Sequence, residues 1–203
     1  MGFSKTILKT NHDIKGSSAF LFHYNKCNLN CYKCFNQNII NDKNIFTDDE
    51  IFDIIKENQD FVDYLIFSGG EITLKPDIVE FLTKVKNIAK DCKIIIYTNG
   101  TNPDVLEKLL DIVDGIHLDI KTNVFTNDDL NISSKIYGSD INANDIIKSI
   151  NLVYKHNKGY SQFRTVKYPL NDDTYYDRLY KYITTEYPLI EYRQNPFIDF
   201  EDC

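Results

Sequence analysis

Short apolar runs alternate along the chain with longer segments in which apolar residues recur every three or four positions. The short runs are rich in β-branched and aromatic residues, which is typical of buried strands. They predict six strands, at Ala19–Tyr24, Tyr64–Ser68, Lys93–Tyr97, Gly115–Asp119, Ser161–Lys167 and Ile190–Arg193. The longer segments predict five helices, at Asp48–Asn58, Pro76–Ala89, Pro103–Val113, Asn144–Tyr154 and Asp172–Thr184.

This alternation of strands and helices predicts an α/β fold with a parallel sheet and helices outside it. Six strands and five helices indicate an incomplete barrel rather than a closed eightfold one. Thr47 is the expected N-cap of the first helix, and Glu50 completes a capping-box pattern. The polar stretch from Asn123 to Asn142 predicts a long loop with one short helix. We expect residues 1–203 to form a single domain.

Charge and hydropathy restrict the classes of partner. The formal net charge is -7, from 23 Lys and Arg against 30 Asp and Glu, which disfavours nonspecific nucleic-acid binding. The longest apolar runs, Leu65–Phe67 and Ile94–Tyr97, are too short to cross a bilayer. Met1–Ser18 lacks the apolar core of a signal peptide, so we expect a cytoplasmic protein without a membrane partner.

Three of the five cysteines, Cys27, Cys31 and Cys34, fall within eight residues. In a reducing compartment such clustering indicates metal or redox chemistry before disulfides. Cys92 and Cys203 stand alone, and we expect each to be a buried small hydrophobe or a tail thiol rather than a ligand.

The spacing C-x3-C-x2-C lets three thiolates ligate three irons of a cubane cluster, which leaves the fourth iron open to another ligand. Two alternatives are compatible with the same spacing. One is a structural zinc site, for which His23 or His12 would be the fourth ligand. The other is an iron–sulfur cluster that only transfers electrons.

Glycines and polar residues follow the ends of the predicted strands, where parallel folds collect their chemistry. Ser68-Gly69-Gly70-Glu71 ends the second predicted strand, and its carbonyls and carboxylate can accept hydrogen bonds from an ammonium group. The other candidates are Thr98-Asn99-Gly100, Asp119-Ile120-Lys121 and Arg164, on the next three strands. Singly, these residues are also compatible with ordinary turns, a solvated ion pair and a strand-end salt bridge. Because all of them are expected at the same rim of the predicted barrel, together they favour a binding site.

Together, the cysteine motif and the strand-end residues resemble the radical S-adenosylmethionine (SAM) superfamily. The resemblance implies a partial (β/α)6 barrel, similar to a TIM barrel, and a [4Fe-4S] cluster on Cys27, Cys31 and Cys34. It implies that the open iron binds the amino and carboxylate groups of SAM. The reduced cluster would then cleave SAM to a 5′-deoxyadenosyl radical, which abstracts a hydrogen atom. The implied SAM contacts are Tyr32, Lys33, Ser68, Gly69, Gly70, Glu71, Thr98, Asn99, Asp119, Lys121 and Arg164.

Longer matches, over about residues 3 to 197, are similar to one subgroup, the glycyl-radical-enzyme activases. The nearest are activating proteins of anaerobic ribonucleoside-triphosphate reductase, related to pyruvate formate-lyase activating enzyme. This similarity implies a glycyl radical enzyme as partner, expected to be that reductase, and a reduced flavodoxin or ferredoxin-type electron donor. The alternatives are a radical SAM enzyme for a small molecule, like the 7-carboxy-7-deazaguanine synthases, and a non-catalytic iron–sulfur or zinc module.

Three positions depart from the pattern of the subgroup. Relatives usually carry an aromatic residue just before the third cysteine, where it packs near adenine; here that residue is Lys33, with Tyr32 one place earlier. A histidine commonly follows the third cysteine, where this chain has Phe35, and an aspartate often stands at the position of Tyr97. Tyr32 or Phe35 can supply the stacking surface.

Overall fold

The computed structural model describes residues 2–10, 16–121, 124 and 135–199. The strands in this part of the chain are β1 (Phe3–Thr10), β2 (Ala19–Tyr24), β3 (Ile45–Phe46), β4 (Tyr64–Gly69), β5 (Lys93–Thr98), β6 (Gly115–Asp119), β7 (Gln162–Lys167) and β8 (Glu191–Pro196). The helices are α1 (Asp48–Asn58), α2 (Ile78–Ile88), α3 (Pro103–Leu109), α4 (Ala143–Lys155) and α5 (Asp173–Glu186).

These strands form one sheet in the order β3-β1-β2-β4-β5-β6-β7-β8. From β2 through β8 all neighbouring pairs are parallel, whereas β1 pairs antiparallel with both β2 and β3. Within the described residues β3 and β8 are the two edges, so the sheet does not close on itself. The predicted α/β fold with a mostly parallel sheet is confirmed.

Strands β1 and β3 were not predicted from the sequence. The β1 segment mixes exposed Lys5 and Thr6 with apolar residues, and β3 has only two residues. The burial of Phe3 explains why β1 joins the sheet, because its ring packs against Phe22 and Phe67 at centroid distances of 6.4 and 5.8 Å. The cysteine motif therefore follows the second strand of the chain, not the first as predicted.

The helices lie close to their predicted bounds. Helix α1 begins with the predicted capping box: the Glu50 amide donates to Thr47 Oγ1 at 3.2 Å, and the Thr47 amide donates to Glu50 Oε2 at 2.7 Å. Helix α3 ends at Leu109 instead of the predicted Val113, because the chain turns at residues 110–112. Of the predicted loop after β6, residues 135–137 are helical, and residues 122–123 and 125–134 lie outside the described residues.

Alternation along the parallel strands gives the sheet two different faces. Phe22, Phe67 and Phe163 belong to the large core that also contains Phe81 of α2. The opposite, inner face has a much smaller apolar cluster, formed by Ala19, Leu21, Ile66 and Ile95. The sheet is therefore well packed on its helical side, and its inner side carries polar residues toward the carboxyl ends of the strands.

Cys92 is buried and unpaired with another cysteine, as expected for a small hydrophobe, whereas Cys203 lies outside the described residues. None of the helices in the described ranges combines the length and the apolar character needed to span a bilayer.

Candidate functional site

A cavity of about 190 Å³ opens at the carboxyl ends of the parallel strands; we call it the rim cavity. It brings together most of the predicted site residues: Cys27, Cys31, Cys34, Ser68, Gly69, Gly70, Thr98, Asn99, Asp119 and Lys121. Leu29, Asn36, Ile40 and Tyr97 complete its described lining. Four predicted residues, Tyr32, Lys33, Glu71 and Arg164, are placed outside this lining. One segment after β2 and the ends of β4, β5 and β6 thus converge on one small space.

The cysteine loop, which we define as residues 26–36, is held by backbone hydrogen bonds. Within the loop, the Cys34 amide donates to the Cys31 carbonyl at 3.2 Å. The Asn30 and Tyr32 amides donate to the carbonyls of Tyr137 and Ile136, at 2.9 and 2.6 Å. The short helical segment at residues 135–137 therefore supports the loop from outside the sheet.

Burial controls the protonation of two loop cysteines, Cys27 and Cys31. It raises the pKa of Cys27 to about 11, although the Leu29 amide, 3.4 Å from Sγ, opposes the shift. Burial also raises the pKa of Cys31, and Lys121 opposes that shift. In the metal-free protein these two thiols are therefore protonated near neutral pH, and binding of a metal would release protons.

The arrangement of the cysteines bears on the zinc alternative. Across the described ranges, no three His, Cys, Asp or Glu side chains are grouped as a single metal ion requires. A cubane cluster differs, because each thiolate bonds to a different iron. The three thiols around the rim cavity fit a cluster better than a single zinc ion. His23 is buried on β2, next to Ser68 in the sheet register, and His12 lies outside the described residues.

The two glycines at the end of β4, Gly69 within the strand and Gly70 just after it, permit close packing against the start of the cysteine loop. Gly69 has a φ of +112°, and a Cβ on Gly70 would lie 2.0 Å from the Lys26 carbonyl oxygen. The Gly70 amide donates to the Tyr24 carbonyl at 2.8 Å, and Asn36 Nδ2 donates to the Gly69 carbonyl at 2.7 Å. Glycine is needed at both positions because the turn contacts the protein's own backbone, whether or not a ligand is bound.

The Glu71 carboxylate is fully buried behind the rim cavity and binds neighbouring protein groups. Its Oε1 accepts from Thr73 N, Thr73 Oγ1 and Thr98 Oγ1 at 3.1, 2.6 and 2.7 Å, and its Oε2 accepts from the Asn99 amide at 2.7 Å. Burial raises the pKa of Glu71, while these hydrogen bonds oppose the shift. Glu71 thus connects the end of β4 to the end of β5.

Asp119 and Lys121 form an ion pair at the rim cavity, with Nζ and Oδ2 3.4 Å apart. Burial alone would lower the pKa of Lys121, but Asp119 and Cys31 hold it above its usual value. Lys121 is therefore a cation in a site that also contains three thiols, where it can offset part of the charge of bound thiolates.

Arg164 lies on the inner face and contacts residues of three strands. Its Nε donates to Gln162 Oε1 at 2.6 Å, and its Nη2 forms a short hydrogen bond with His117 Nδ1. The guanidinium lies 4.4 Å from the ring centroid of Tyr97, which stacks on His117. Burial, followed by the charge of Arg164, lowers the pKa of His117 to about 3, so His117 is neutral.

Tyr32 and Lys33 face the C-terminal segment, which we define as Pro196–Asp199. Lys33, whose φ is +43°, forms an ion pair with Asp199 at 2.5 Å, and the rings of Tyr32 and Phe197 lie 5.8 Å apart. A second cavity, of about 240 Å³, lies between this segment and the loop, and Cys31, Cys34 and Lys121 line it as well. Tyr32 and Phe35, the residues predicted to stack on adenine, thus lie outside the described lining of the rim cavity, and Phe35 lines the second cavity.

Sequence reasoning missed two residues with specific contacts in the site. Asn28 hydrogen-bonds to Asn99 and Thr101 across the loop, and Thr101 also hydrogen-bonds to Asn99. No spacing rule could indicate these contacts, because more than seventy residues separate Asn28 from its partners. The only local signal was the presence of asparagine and threonine at positions next to a ligand motif and a strand end.

Comparisons with known proteins agree with this geometry. The sequence model of the radical SAM superfamily matches residues 21–181. A protein of Methanocaldococcus jannaschii, named "Putative glycyl-radical enzyme activating enzyme MJ1227", is 34% identical over 147 residues. The match covers 70% of this chain and 58% of that protein, so the chain spans less than two thirds of the length of this curated relative.

Solved structures show the same fold at low sequence identity. SuiB of Streptococcus suis bound to S-adenosylmethionine superposes with a TM-score of 0.67 and 18% identity, over 88% of this chain and 40% of that one. HemN, the coproporphyrinogen III oxidase of Escherichia coli, is described as a radical SAM enzyme. It superposes with a TM-score of 0.59 and 14% identity, over 90% of this chain and 44% of that one. The fold is therefore the predicted partial TIM-like barrel. The chain belongs to the radical SAM superfamily, which implies a [4Fe-4S] cluster and S-adenosylmethionine as its cofactors.

Proposed function

We propose that this chain is a glycyl-radical-enzyme activase. The observation that carries the proposal is the convergence of the three cysteines with the ends of β4, β5 and β6 around one rim cavity. The relative from Methanocaldococcus jannaschii supports the activase assignment by its name. When both cofactors are bound, the reduced cluster and SAM supply a 5′-deoxyadenosyl radical that abstracts a hydrogen atom from the substrate.

The cysteines and the strand ends have separate tasks in this proposal. Cys27, Cys31 and Cys34 would hold three irons and leave the fourth open, since the described site offers no fourth cysteine near them. Ser68, Gly69 and Gly70 line the rim cavity, and backbone carbonyls are suited to accept hydrogen bonds from an ammonium group.

The other polar residues of the rim cavity suit the remaining groups of SAM. Lys121 can pair with its carboxylate, and Asp119 can accept hydrogen bonds from ribose hydroxyls. Thr98 and Asn99 would form the floor of the rim cavity and contact SAM through their backbone. The Glu71 side chain supports Thr98 and Asn99 indirectly, because the described hydrogen bonds of its carboxylate are to Thr73, Thr98 and Asn99.

Arg164, Tyr32 and Lys33 have less direct parts in the proposal. Arg164 would reach SAM only by leaving Gln162 and His117, so in the described state it orders the inner wall. Lys33 lines the second cavity and Tyr32 packs on Phe197, which also lines it, so both would contact adenine only from that side.

The proposed partner is a glycyl radical enzyme, with anaerobic ribonucleoside-triphosphate reductase as the first candidate. The proposed electron donor is a reduced flavodoxin or a ferredoxin-type protein. Support comes from the similarity to activases in the cysteine loop and at the strand ends, and from the name of the relative.

The first test is chemical. The protein is reconstituted anaerobically with iron and sulfide, reduced with dithionite and given SAM, and 5′-deoxyadenosine is measured. We expect 5′-deoxyadenosine to form; an iron-loaded, reduced protein that leaves SAM intact would contradict radical chemistry. Mixing with the candidate reductase should then produce a glycyl radical in the electron paramagnetic resonance spectrum. SAM cleavage without that radical would favour a small-molecule enzyme.

Replacement of one cysteine tests the assignment of the cluster ligands. We expect Cys31→Ala to lose the cluster, because two thiolates cannot hold a cubane firmly. Cys92→Ala is the matched control, since Cys92 is buried against the carbonyls of Gln59 and Val62, away from the rim cavity. Iron content and the absorbance of the cluster are the measurements; full iron loading of Cys31→Ala would refute the ligand set.

A further inference from the structure

The side chain of Asn28 joins the cysteine loop to the turn after β5. Asn28 follows the first cysteine and is exposed, yet both polar atoms of its amide have partners. Its Oδ1 accepts from Asn99 Nδ2 at 3.0 Å, and its Nδ2 donates to Thr101 Oγ1 at 2.8 Å. One loop residue therefore binds two residues of a turn that is distant in the sequence.

These contacts form a closed ring of hydrogen bonds. Thr101 Oγ1 accepts from Asn28 and donates to Asn99 Oδ1 at 2.7 Å, while Asn99 Nδ2 donates back to Asn28. The Thr101 amide also donates to Asn99 Oδ1, at 3.0 Å. Each donor in the ring meets an acceptor, which fixes the orientation of both amides.

The ring continues into the buried floor of the rim cavity. Asn99 is almost fully buried, and its backbone amide donates to the Glu71 carboxylate at 2.7 Å. Glu71 in turn donates its own amide to the Lys26 carbonyl, at 2.6 Å, directly before Cys27. The start of the cysteine loop is thus attached to the floor twice, through the Lys26 backbone and through the Asn28 side chain.

We propose that Asn28 is a positioning residue that fixes the cysteine loop, and with it the cluster, relative to the turn that forms part of the SAM site. The part of this proposal that concerns the cluster and the SAM site rests on the proposed radical SAM function. Asn28 suits this role because the ring needs one donor and one acceptor on the same side chain. Aspartate keeps only the acceptor, and alanine keeps neither.

Asn30 provides a matched control within the same loop. It is also an exposed asparagine, two positions further on, and within the described part of the chain its side chain accepts a single, long hydrogen bond of 3.4 Å from Gln37. Substitution by alanine therefore removes the same atoms from both positions, but it opens the ring only at Asn28.

The first measurement uses the metal-free protein and needs no cofactor chemistry. Iodoacetamide alkylation of Cys27 and Cys31 is followed by mass spectrometry. Loss of two hydrogen bonds in Asn28→Ala should free the loop and speed alkylation about three- to tenfold, whereas Asn30→Ala should stay within about twofold of the natural protein. Asn28→Asp should lie between them, because it keeps the bond from Asn99.

The second measurement uses the cluster-loaded protein. The dissociation constant of SAM should rise about tenfold in Asn28→Ala and change little in Asn30→Ala, with circular dichroism confirming that both fold. Thr101→Val opens the ring from the sheet side and should reproduce both effects if Asn28→Ala does not fold. In the double variant Asn28→Ala/Thr101→Val, the effects of the two single substitutions should not add.

Equal alkylation rates and equal SAM affinities in the Asn28 and Asn30 variants would overturn the proposal. The two readouts also separate this proposal from the proposed function. A difference in alkylation in a protein that never cleaves SAM would retain the positioning role and refute the radical chemistry. SAM cleavage with no difference between the Asn28 and Asn30 variants would support the radical chemistry and refute the positioning role of Asn28.

Discussion

The two flanks of the cysteine loop are held by different kinds of contact. The first flank is the attachment of Asn28 to Asn99 and Thr101, above the buried Glu71. The second flank is the attachment of Tyr32 and Lys33 to the C-terminal segment, by ring packing and an ion pair whose side chains are 30% and 26% exposed. One loop is therefore fixed on one side by uncharged hydrogen bonds between the exposed Asn28 and a turn that contains the buried Asn99, and on the other by a partly exposed charge pair.

This difference has a physical consequence for how firmly each flank holds. Hydrogen bonds of buried groups, such as those of Asn99 and Glu71 at the base of the first flank, are costly to break, because the freed groups gain no water in place of their partners. A partly exposed ion pair contributes little and is screened by salt. We therefore expect the first flank to set the position of the loop and the second to be adjustable.

The largest effect is expected from replacing the buried Glu71 carboxylate under the first flank. Glu71→Gln replaces one acceptor oxygen with an amide that faces donors, so the free energy of unfolding should fall by about 2–3 kcal/mol. Urea unfolding of the natural protein and the variant measures this. Glu50→Gln in the exposed capping box is the control, with a clearly smaller effect expected. Equal stability of Glu71→Gln and the natural protein would show that the first flank is not held as described.

A smaller, pH-dependent effect is expected at His117, on the inner wall below both flanks. Its pKa falls from 6.5 to about 3 on folding, so the unfolded state binds the proton more readily. The stability that His117 contributes is complete above pH 6.5 and is lost progressively as the pH falls toward 3.

The variant His117→Gln tests this, because glutamine keeps polar atoms but does not titrate. Between pH 6.5 and pH 5 the natural protein should lose about 1–2 kcal/mol more stability than the variant. His156→Gln, at the exposed end of α4, is the matched control and should follow the natural protein. Parallel pH curves for the natural protein and His117→Gln would contradict a neutral, buried His117.

The smallest effect is expected in the second flank. Asp199→Asn removes the ion pair with Lys33 and should cost less than about 1 kcal/mol at low salt, with the difference disappearing at about 1 M salt. Thermal unfolding at both salt concentrations measures this. Asp53→Asn, which breaks the exposed pair with Lys56 in α1, is the control. A large, salt-independent loss in Asp199→Asn would reverse the comparison between the flanks.

Much of the fold could be predicted from the sequence because its local signals agree with its packing. The apolar runs in β2, β4, β5 and β6 are buried, and Thr47 and Glu50 cap α1 as expected. Strand β1 was not predicted, because its place in the sheet depends on the packing of Phe3 against distant aromatic residues and not on the apolar–polar pattern of the β1 sequence.

The site was predictable as a set of residues, less so as a set of contacts. The cysteines, the glycines, Asp119 and Lys121, predicted from spacing and from position at strand ends, line one cavity. The partners of Glu71 and Arg164 were not predictable, because they depend on the register of neighbouring strands. A carboxylate expected to face a ligand binds Thr98 and Asn99, and a guanidinium expected to do so stacks on Tyr97.

The ion pair between Lys33 and Asp199 joins residues that are 166 positions apart. Because the ribosome delivers the chain from its N-terminus, the two flanks become available at different times. Every residue of the first flank has been made once synthesis passes Asn102, whereas Phe197 and Asp199 follow only after β8. During translation the cysteine loop therefore has its first set of partners long before the second exists.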